Sequence, residues 1–178
     1  MGTHKGKLME VDLSTGTIKT TKIKEDILRK YIGGVGVAAK LCFDHVPPDT
    51  NPLGEKNVLF LMGGPLSGTN FPTSSRLVAA FKSPLTNIWG QASAGGNFAA
   101  ELKSAGYDGI AISGTSKKPV YLLIEDEKAE IKDASDIWGK DTYEAAELLR
   151  KETDEKASPA CIGQAGERLV RFASVMSD

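Results

Sequence analysis

Cysteine and histidine are scarce in this chain, with two of each among its 178 residues. Cys42 and Cys161 are far apart in the sequence and form no CxxC pair, which argues against a disulfide framework. We expect both to be reduced, buried thiols. His4 falls in residues 1–5, which show no helix or strand pattern and are predicted to be a tail. His45 precedes two prolines and is predicted to lie at the solvated end of a helix.

The familiar sequence motifs of catalysis are also missing. The chain contains no HExxH, CxxC, GxSxG or GxxxxGK[ST], which excludes the common patterns of zinc proteases, redox dithiols, α/β-hydrolases and P-loop proteins. Glu101 and Asp108 could form a carboxylate pair, but the helical spacing around Glu101 favours a solvated helix face. The sequence therefore predicts no catalytic residue.

An excess of charge of one sign and long apolar runs are absent as well. The formal net charge is −1, so there is no bulk electrostatic attraction to nucleic acid or to an anionic membrane. No apolar run reaches the length of a membrane span, and no signal peptide is evident. We expect a cytoplasmic protein that binds neither nucleic acid nor membranes.

Glycine, by contrast, is abundant, with 19 residues against a usual share of about 7%. Many of these glycines fall in residues 63–109, in loops predicted at 63–68 and 93–96. A third loop is predicted at residues 73–76. Because glycine has no Cβ, such loops can adopt positive φ and bring backbone N–H groups close to a ligand.

Arg76 is the side chain in this region that points most clearly to a ligand. It follows a Thr-Ser-Ser run and precedes an apolar predicted strand, and its fixed fork of donors suits a phosphate or a planar heterocycle. The alternative is a surface arginine paired with a carboxylate. Gly95 and Gly96 precede a predicted helix over residues 97–105, where free N–H groups favour an anion. Ser93 offers a hydroxyl oxygen that suits Mg²⁺.

The remaining patterns predict an α+β fold: a β-rich domain of short strands and hairpins with a few helices. Predicted hairpins span residues 6–23 and 119–131. Buried strands are predicted at residues 57–62, 77–81 and 109–114, and a helix at 142–152 with Asp141 as its N-cap. A compact turn at 133–139 is expected to pack the indole of Trp138.

Residues 33–36, Gly-Gly-Val-Gly, are a weak dinucleotide-binding signal. The full GxGxxG pattern is absent and the preceding segment has helical composition, whereas the dinucleotide fold needs a strand there. A structural turn that lets a helix pack closely is the favoured interpretation, and a nucleotide-phosphate-binding module remains an alternative.

An ordered set of segments resembles the N-terminal domain of aldehyde ferredoxin oxidoreductases, the tungsten-pterin enzymes. The likeness covers residues 6–178, and its specificity comes from the order of the whole set. The segments are GPLSGT (64–69), PTSSR (72–76), KSPLT (82–86), AGGNFAAELKSAGYDGI (94–110), KPVYLLI (118–124), DASDIWG (133–139) and IGQAGERLVRFASVMSD (162–178).

The resemblance implies that residues 6–178 are a tungstopterin-binding domain. In the family, this domain is a base for two molybdopterin-type dithiolenes that hold one tungsten. Arg76 matches an arginine between the pterin system and a [4Fe-4S] cluster, and Gly95 matches a pterin-contacting glycine. Ser93 matches a position that helps hold a Mg²⁺ bridging the pterin phosphates. The compared family member has asparagine there, so the match at Ser93 is incomplete.

The resemblance also implies what lies outside this chain. The ligands of the [4Fe-4S] cluster match neither Cys42 nor Cys161, and residues 172–176 resemble a strand still in progress, so a fragment of a longer protein is expected. The parent would oxidise an aldehyde to a carboxylic acid and pass electrons to ferredoxin, with homodimers in some members. The fragment alone is expected to be inactive. A non-catalytic β-rich scaffold or oligomerisation domain is the alternative.

Overall fold

The computed structural model describes residues 4–177 of the chain. Ten strands and five helices are found in this part. In chain order they are β1 (Lys7–Asp12), β2 (Thr17–Lys22), α1 (Glu25–Tyr31), α2 (Gly34–His45), β3 (Leu59–Gly63), β4 (Leu77–Lys82), β5 (Trp89–Ala94), α3 (Phe98–Ser104), β6 (Gly109–Ser113), β7 (Val120–Glu125), β8 (Lys128–Asp133), α4 (Thr142–Glu152), β9 (Ala160–Cys161), α5 (Gln164–Glu167) and β10 (Met176–Ser177).

A six-stranded mixed sheet forms the centre of the fold, in the order β2-β1-β6-β3-β4-β5. Only β1 and β6 run parallel within it; the other neighbouring pairs are antiparallel. Strand β3 lies in the middle and is buried along almost its whole length. This explains its continuous apolar sequence, because a strand covered on both faces shows no polar alternation.

Helices α1 and α2 cover one face of the sheet. Val37, Ala38 and Leu41 of α2 pack with Phe60 and Ala80 in a buried cluster. The opposite face is covered by α3 and by the β7–β8 hairpin, whose apolar side chains join a second cluster around the central strands. The alternation of side chains along each strand supplies both clusters from the same short sequences. The α+β class predicted from the sequence is confirmed.

Helix α4 begins where the sequence predicts. Asp141 is its N-cap, and Oδ1 of Asp141 accepts hydrogen bonds from the backbone N–H groups of Tyr143 and Glu144, each at 2.9 Å. Ala145 is the residue that α4 buries, whereas Tyr143 is exposed. The predicted packing of the Trp138 indole is wrong, because this side chain is half exposed.

The structure differs from the sequence-based prediction at two other places. Strand β5 was not predicted, because its residues are mostly exposed and show no apolar alternation. The final apolar run, expected to be a strand over 172–176, is mostly irregular, and only Met176–Ser177 pairs with β9. Among the described residues, no helix has the length and apolar character needed to cross a membrane.

Candidate functional site

The register of β4 and β5 brings the predicted site residues to one end of the sheet. Leu77 pairs with Ala94, and Val78 pairs with Ser93. Arg76 directly precedes Leu77, and Gly95 directly follows Ala94. The arginine, the serine and the two glycines are therefore neighbours across the strand pair, although about 17 residues of chain separate Arg76 from Ser93.

Side-chain hydrogen bonds join the three predicted loops into one surface. Ser67 Oγ donates to the carbonyl of Ser74 at 3.3 Å, and Ser74 Oγ donates to the carbonyl of Leu66 at 2.8 Å. Ser75 Oγ donates to the carbonyl of Gly96 at 2.8 Å. We call the surface formed by residues 63–68, 73–76 and 93–96 the glycine platform.

Arg76 is exposed on the glycine platform. Within residues 4–177, its guanidinium has no ion pair with a carboxylate, so these residues do not support the alternative of a paired surface arginine. Since the group keeps its charge at any physiological pH, it is available to an anionic ligand.

Ser93 lies in strand β5, and the prediction of a loop at this residue is corrected. Its side chain is exposed, and its Oγ accepts a hydrogen bond from Nε2 of Gln91 at 2.8 Å. The two residues share a face of the strand because they are two positions apart. Among the described residues, no group of three or more His, Cys, Asp or Glu side chains could hold a metal ion. A Mg²⁺ at Ser93 would therefore need most of its oxygen ligands from a bound anion, from water or from further parts of the protein.

Gly95 and Gly96 serve different purposes. Gly96 has a φ of 89°, a backbone conformation that favours glycine. Gly95 is exposed, and apart from Gly95 and its two chain neighbours no described residue has an atom within 4 Å of the position that a Cβ there would occupy. The chain itself leaves this space open, so a ligand can approach the backbone of Gly95 closely.

Helix α3 begins at Phe98, close to the predicted start. It is only seven residues long, so its dipole adds little, and attraction of an anion depends mainly on Arg76 and the loop N–H groups.

The site predicted from the sequence did not include the turn between α1 and α2, which packs against the glycine platform at Pro65. Ile32 has φ 67° and ψ −56°, and the Gly33 N–H donates to the Tyr31 carbonyl at 2.7 Å. This is a γ-turn of the rare hand at a β-branched residue. It directs Gly33 towards Pro65 so closely that a Cβ on Gly33 would lie 2.9 Å from Pro65 Cδ.

The same turn decides the interpretation of residues 33–36. The element before them is helix α1, so the strand that a dinucleotide-binding turn requires is absent, and the nucleotide alternative is not supported. A Cβ added to Gly34 would lie 3.8 Å from Gly64 Cα, and a Cβ added to Gly36 would lie 2.3 Å from the Tyr31 carbonyl oxygen. Close packing, as predicted, explains these glycines.

The N-terminal residues also reach this end of the sheet. His4 is half-buried, and its Cε1 lies 3.4 Å from the Cβ position of Gly33. The backbone N–H of Lys5 donates to Oδ1 of Asp108 at 3.2 Å. The predicted tail therefore does not extend to Lys5; residues 1–3 lie outside the described residues. Nothing in the composition of these first residues indicated this contact.

Both cysteines are free thiols. Burial raises the pKa of Cys42, and burial also raises the pKa of Cys161, against a smaller opposing effect of Arg150. Since the thiolate is the reactive form, neither residue is suited to nucleophilic chemistry at neutral pH.

Comparison with known proteins assigns the domain. Residues 8–178 match the family described as "Aldehyde ferredoxin oxidoreductase, N-terminal domain". The chain belongs to this family. It is 46% identical over 174 residues to the tungsten-containing aldehyde ferredoxin oxidoreductase of Pyrococcus furiosus, covering 97% of this chain and 29% of that protein.

Two other relatives of this family domain carry different names. The aliphatic sulfonate oxidoreductase, WOR-like subunit, of Pyrococcus furiosus is 36% identical over 193 residues, 99% of this chain and 31% of that protein. The solved active-site complex BamBC of benzoyl coenzyme A reductase, in complex with 1,5-dienoyl-CoA, matches with a TM-score of 0.97 and 38% identity. That match covers 99% of this chain and 27% of the solved chain. The family domain thus spans less than a third of each of these proteins.

Proposed function

We propose that this chain is the cofactor-binding base of a tungsten or molybdenum bis-pterin enzyme that oxidises aldehydes to carboxylic acids. A [4Fe-4S] cluster held by further parts of the protein would pass the electrons on to ferredoxin. On its own the 178-residue chain is expected to be inactive, since it spans only 29% of the tungsten-containing relative from Pyrococcus furiosus.

One observation carries the proposal: an unpaired arginine and an unobstructed glycine lie side by side at the end of β4 and β5. Among the described residues, Arg76 has no carboxylate partner, and only Gly95 itself and its chain neighbours have atoms within 4 Å of a Cβ placed on Gly95. A cation and exposed backbone amides are the groups that bind phosphates and the polar edge of a pterin.

Each residue of the site then has a separate task. Arg76 binds a pterin phosphate or ring edge, and the N–H groups around Gly95 and Gly96 donate to the same anion. Ser93 would offer one oxygen to a Mg²⁺ bound together with the phosphates. When bound, the metal dithiolene supplies the two-electron redox chemistry, so the chain needs only to bind and orient it.

The wider setting follows from the same proposal. A cofactor of this kind acts on a small aldehyde, with ferredoxin as the redox partner, in the cytoplasm. A homodimer is proposed as the assembly.

A second candidate rests on the solved relative with the TM-score of 0.97. That protein is named for a coenzyme A thioester, so the same base can belong to a protein that transfers electrons to or from such a substrate. Aldehyde oxidation is favoured because the tungsten-containing aldehyde relative has the higher identity, 46% against 38%.

The test is to measure tungsten, molybdenum and pterin in the full-length protein, expressed anaerobically with tungstate. Wild type is compared with Arg76→Met and Arg76→Lys. We expect about two pterins per metal in wild type, and a clear loss of both in Arg76→Met, because the phosphate loses its charged partner. Arg76→Lys keeps the charge without the fork and should retain an intermediate amount. Since Arg76 is exposed, all three proteins should unfold at similar temperatures when compared in the cofactor-free form, where bound cofactor does not contribute to stability.

Activity separates the remaining possibilities. Reduction of a viologen dye or ferredoxin by aldehydes supports the first candidate, whereas turnover of dienoyl-CoA alone supports the second. A well-folded wild-type protein with neither metal nor pterin would contradict both and leave a scaffold domain.

A further inference from the structure

A buried ion pair lies directly behind the glycine platform. Lys103 is 4% exposed and Asp108 is 2% exposed, and Nζ of Lys103 donates to Oδ1 of Asp108. Burying two charges is costly, and such a pair often contributes little net stability compared with apolar side chains of similar volume. Its presence therefore calls for a reason other than overall stability.

The contacts of Asp108 indicate that reason, because it joins separate segments at this end of the sheet. Its Oδ2 accepts from the Gly6 N–H at 2.5 Å, and its Oδ1 also accepts from the Lys5 N–H at 3.2 Å. Its backbone carbonyl accepts from the Gly63 N–H at 2.9 Å, where strand β3 passes into the glycine platform, and its backbone N–H donates to the Lys7 carbonyl at 2.8 Å.

Lys103 supports the same loop from the side of α3. Gly68 has a φ of 72°, and its Cβ position lies 3.4 Å from Cβ of Lys103 and 3.4 Å from the carbonyl oxygen of Ala100. The loop that begins at Gly63 and ends at Gly68 thus contacts both residues of the ion pair, at one end through the backbone carbonyl of Asp108 and at the other through Cβ of Lys103. Hydrogen bonds from Ser67 and Ser74 connect that loop to residues 73–76.

We propose that Lys103 and Asp108 are positioning residues for the cofactor: they fix the loop of residues 63–68, and through it the segment that presents Arg76. This inference rests on the proposed function for its ligand. It assigns the pair no contact with the cofactor and no part in proton or electron transfer. The glycine platform is pre-organised by the pair, so that binding does not have to order it.

Lys82, the last residue of β4, provides a matched control. It is also a buried lysine, 8% exposed, but lies at the other end of β4, where its Nζ donates to the carbonyls of Pro48 and Thr50 at 2.5 and 2.8 Å. Replacing either lysine by methionine removes one buried cation. Only Lys103→Met removes it from behind the glycine platform.

Amide hydrogen exchange of the apo protein tests the inference without any ligand. In Lys103→Met we expect residues 63–76 to exchange at least about tenfold faster than in wild type, with β7 and β8 unchanged, because a local opening is made easier. Lys82→Met should speed exchange around residues 48–57 and leave 63–76 as in wild type. Lys103→Arg, which retains the cation, should restore slow exchange.

Asp108→Asn is the second variant, used if Lys103→Met does not fold. It keeps one acceptor oxygen for either Lys5 or Gly6, replaces the other by an NH2 donor and removes the charge, so the same segment should exchange faster. Equal effects of the Lys103 and Lys82 variants on residues 63–76 would overturn the inference, as would unchanged exchange in both Lys103→Met and Asp108→Asn.

Cofactor content of the full-length variants completes the test. We expect Lys103→Met to retain less pterin and tungsten than Lys82→Met at equal folded protein. Faster exchange of the loop with full cofactor content would also overturn the positioning role. If wild type itself holds no pterin, the proposed function fails, while the exchange data still decide whether the pair fixes the loop.

Discussion

At the scale of single residues, the adjacent glycines Gly95 and Gly96 differ in the reason why each is glycine. Gly96 adopts a φ of 89°, so its backbone conformation explains why this residue is glycine. Gly95 has open space where a Cβ would be, so the folded chain gives no steric reason against a side chain there. Under the proposed function, the reason for glycine at this position is a ligand that comes close to its backbone.

This difference leads to a prediction for Gly95→Ala. The variant should fold with a stability within about 0.5 kcal/mol of wild type, because the methyl group meets no atom. It should nevertheless lose pterin and tungsten in the full-length protein, because the methyl group occupies the space that the ligand needs. Denaturant unfolding of the cofactor-free proteins and metal analysis of the full-length proteins provide the two measurements.

Gly36→Ala is the contrasting variant. Its Cβ would lie 2.3 Å from the Tyr31 carbonyl oxygen, so it should destabilise the fold before any question of binding arises. Full cofactor content in Gly95→Ala would contradict the ligand explanation for Gly95.

At the scale of helices and strands, the sequence predicts elements that depend on local signals better than elements that depend on pairing with a distant segment. The start of α4 was predicted at Asp141 because an aspartate before an amphipathic run satisfies free N–H groups by itself. Strand β5 was missed because its sequence, Trp-Gly-Gln-Ala-Ser-Ala, shows no alternation of apolar residues. Its extended form comes from the hydrogen-bond ladder with β4, a partner that the local sequence does not identify.

The cap of α4 gives a prediction at this scale. Asp141→Ala should lower the free energy of unfolding by about 1 kcal/mol, because the N–H groups of Tyr143 and Glu144 lose their acceptor. Asp136→Ala is the control, since this exposed aspartate has no side-chain hydrogen bond among the described residues. Urea denaturation of both variants is the measurement. Equal midpoints would show that the cap does not stabilise the helix.

At the scale of the whole molecule, several surface carboxylates respond to pH in the same direction. A hydrogen bond from Thr15 and then one from Ser14 lower the pKa of Asp12. The hydrogen bond and charge of Lys7 lower the pKa of Glu127. The pKa values of Asp133 and Glu147 are also lowered, chiefly by hydrogen bonds from Ser135 and Lys151.

Stability should therefore fall in acid. A carboxyl group whose pKa is lower in the folded state stabilises the fold above its unfolded pKa, and this contribution is lost as pH falls through the folded pKa. We expect a constant unfolding temperature from pH 7 to about 5 and a decline below about 4.

The double variant Glu127→Gln/Asp133→Asn should show a shallower decline, because two of the contributing groups no longer titrate. Glu155→Gln is the control, since the exposed Glu155 has no hydrogen bond or ion pair among the described residues. Thermal scans from pH 7 to 3 provide the measurement, and identical acid slopes in the two variants would contradict the assignment.

The sequence by itself determined the α+β class, the two hairpins, the buried central strands and the start of α4. These features depend on turns, caps and side-chain alternation within a few residues, where local physical chemistry decides the outcome. It also identified Arg76, Gly95 and Gly96 as candidates, because glycine-rich loops and an isolated arginine can be recognised without the structure. The ordered motifs identified the family.

Only the tertiary structure decided how these pieces meet. The register of β4 with β5 places Arg76 beside Gly95, and the strained turn at Ile32 carries α2 onto the loop at Pro65. Asp108 reaches back to Lys5 and Gly6 across more than a hundred residues. Such contacts depend on packing between segments far apart in the chain, which no local pattern specifies.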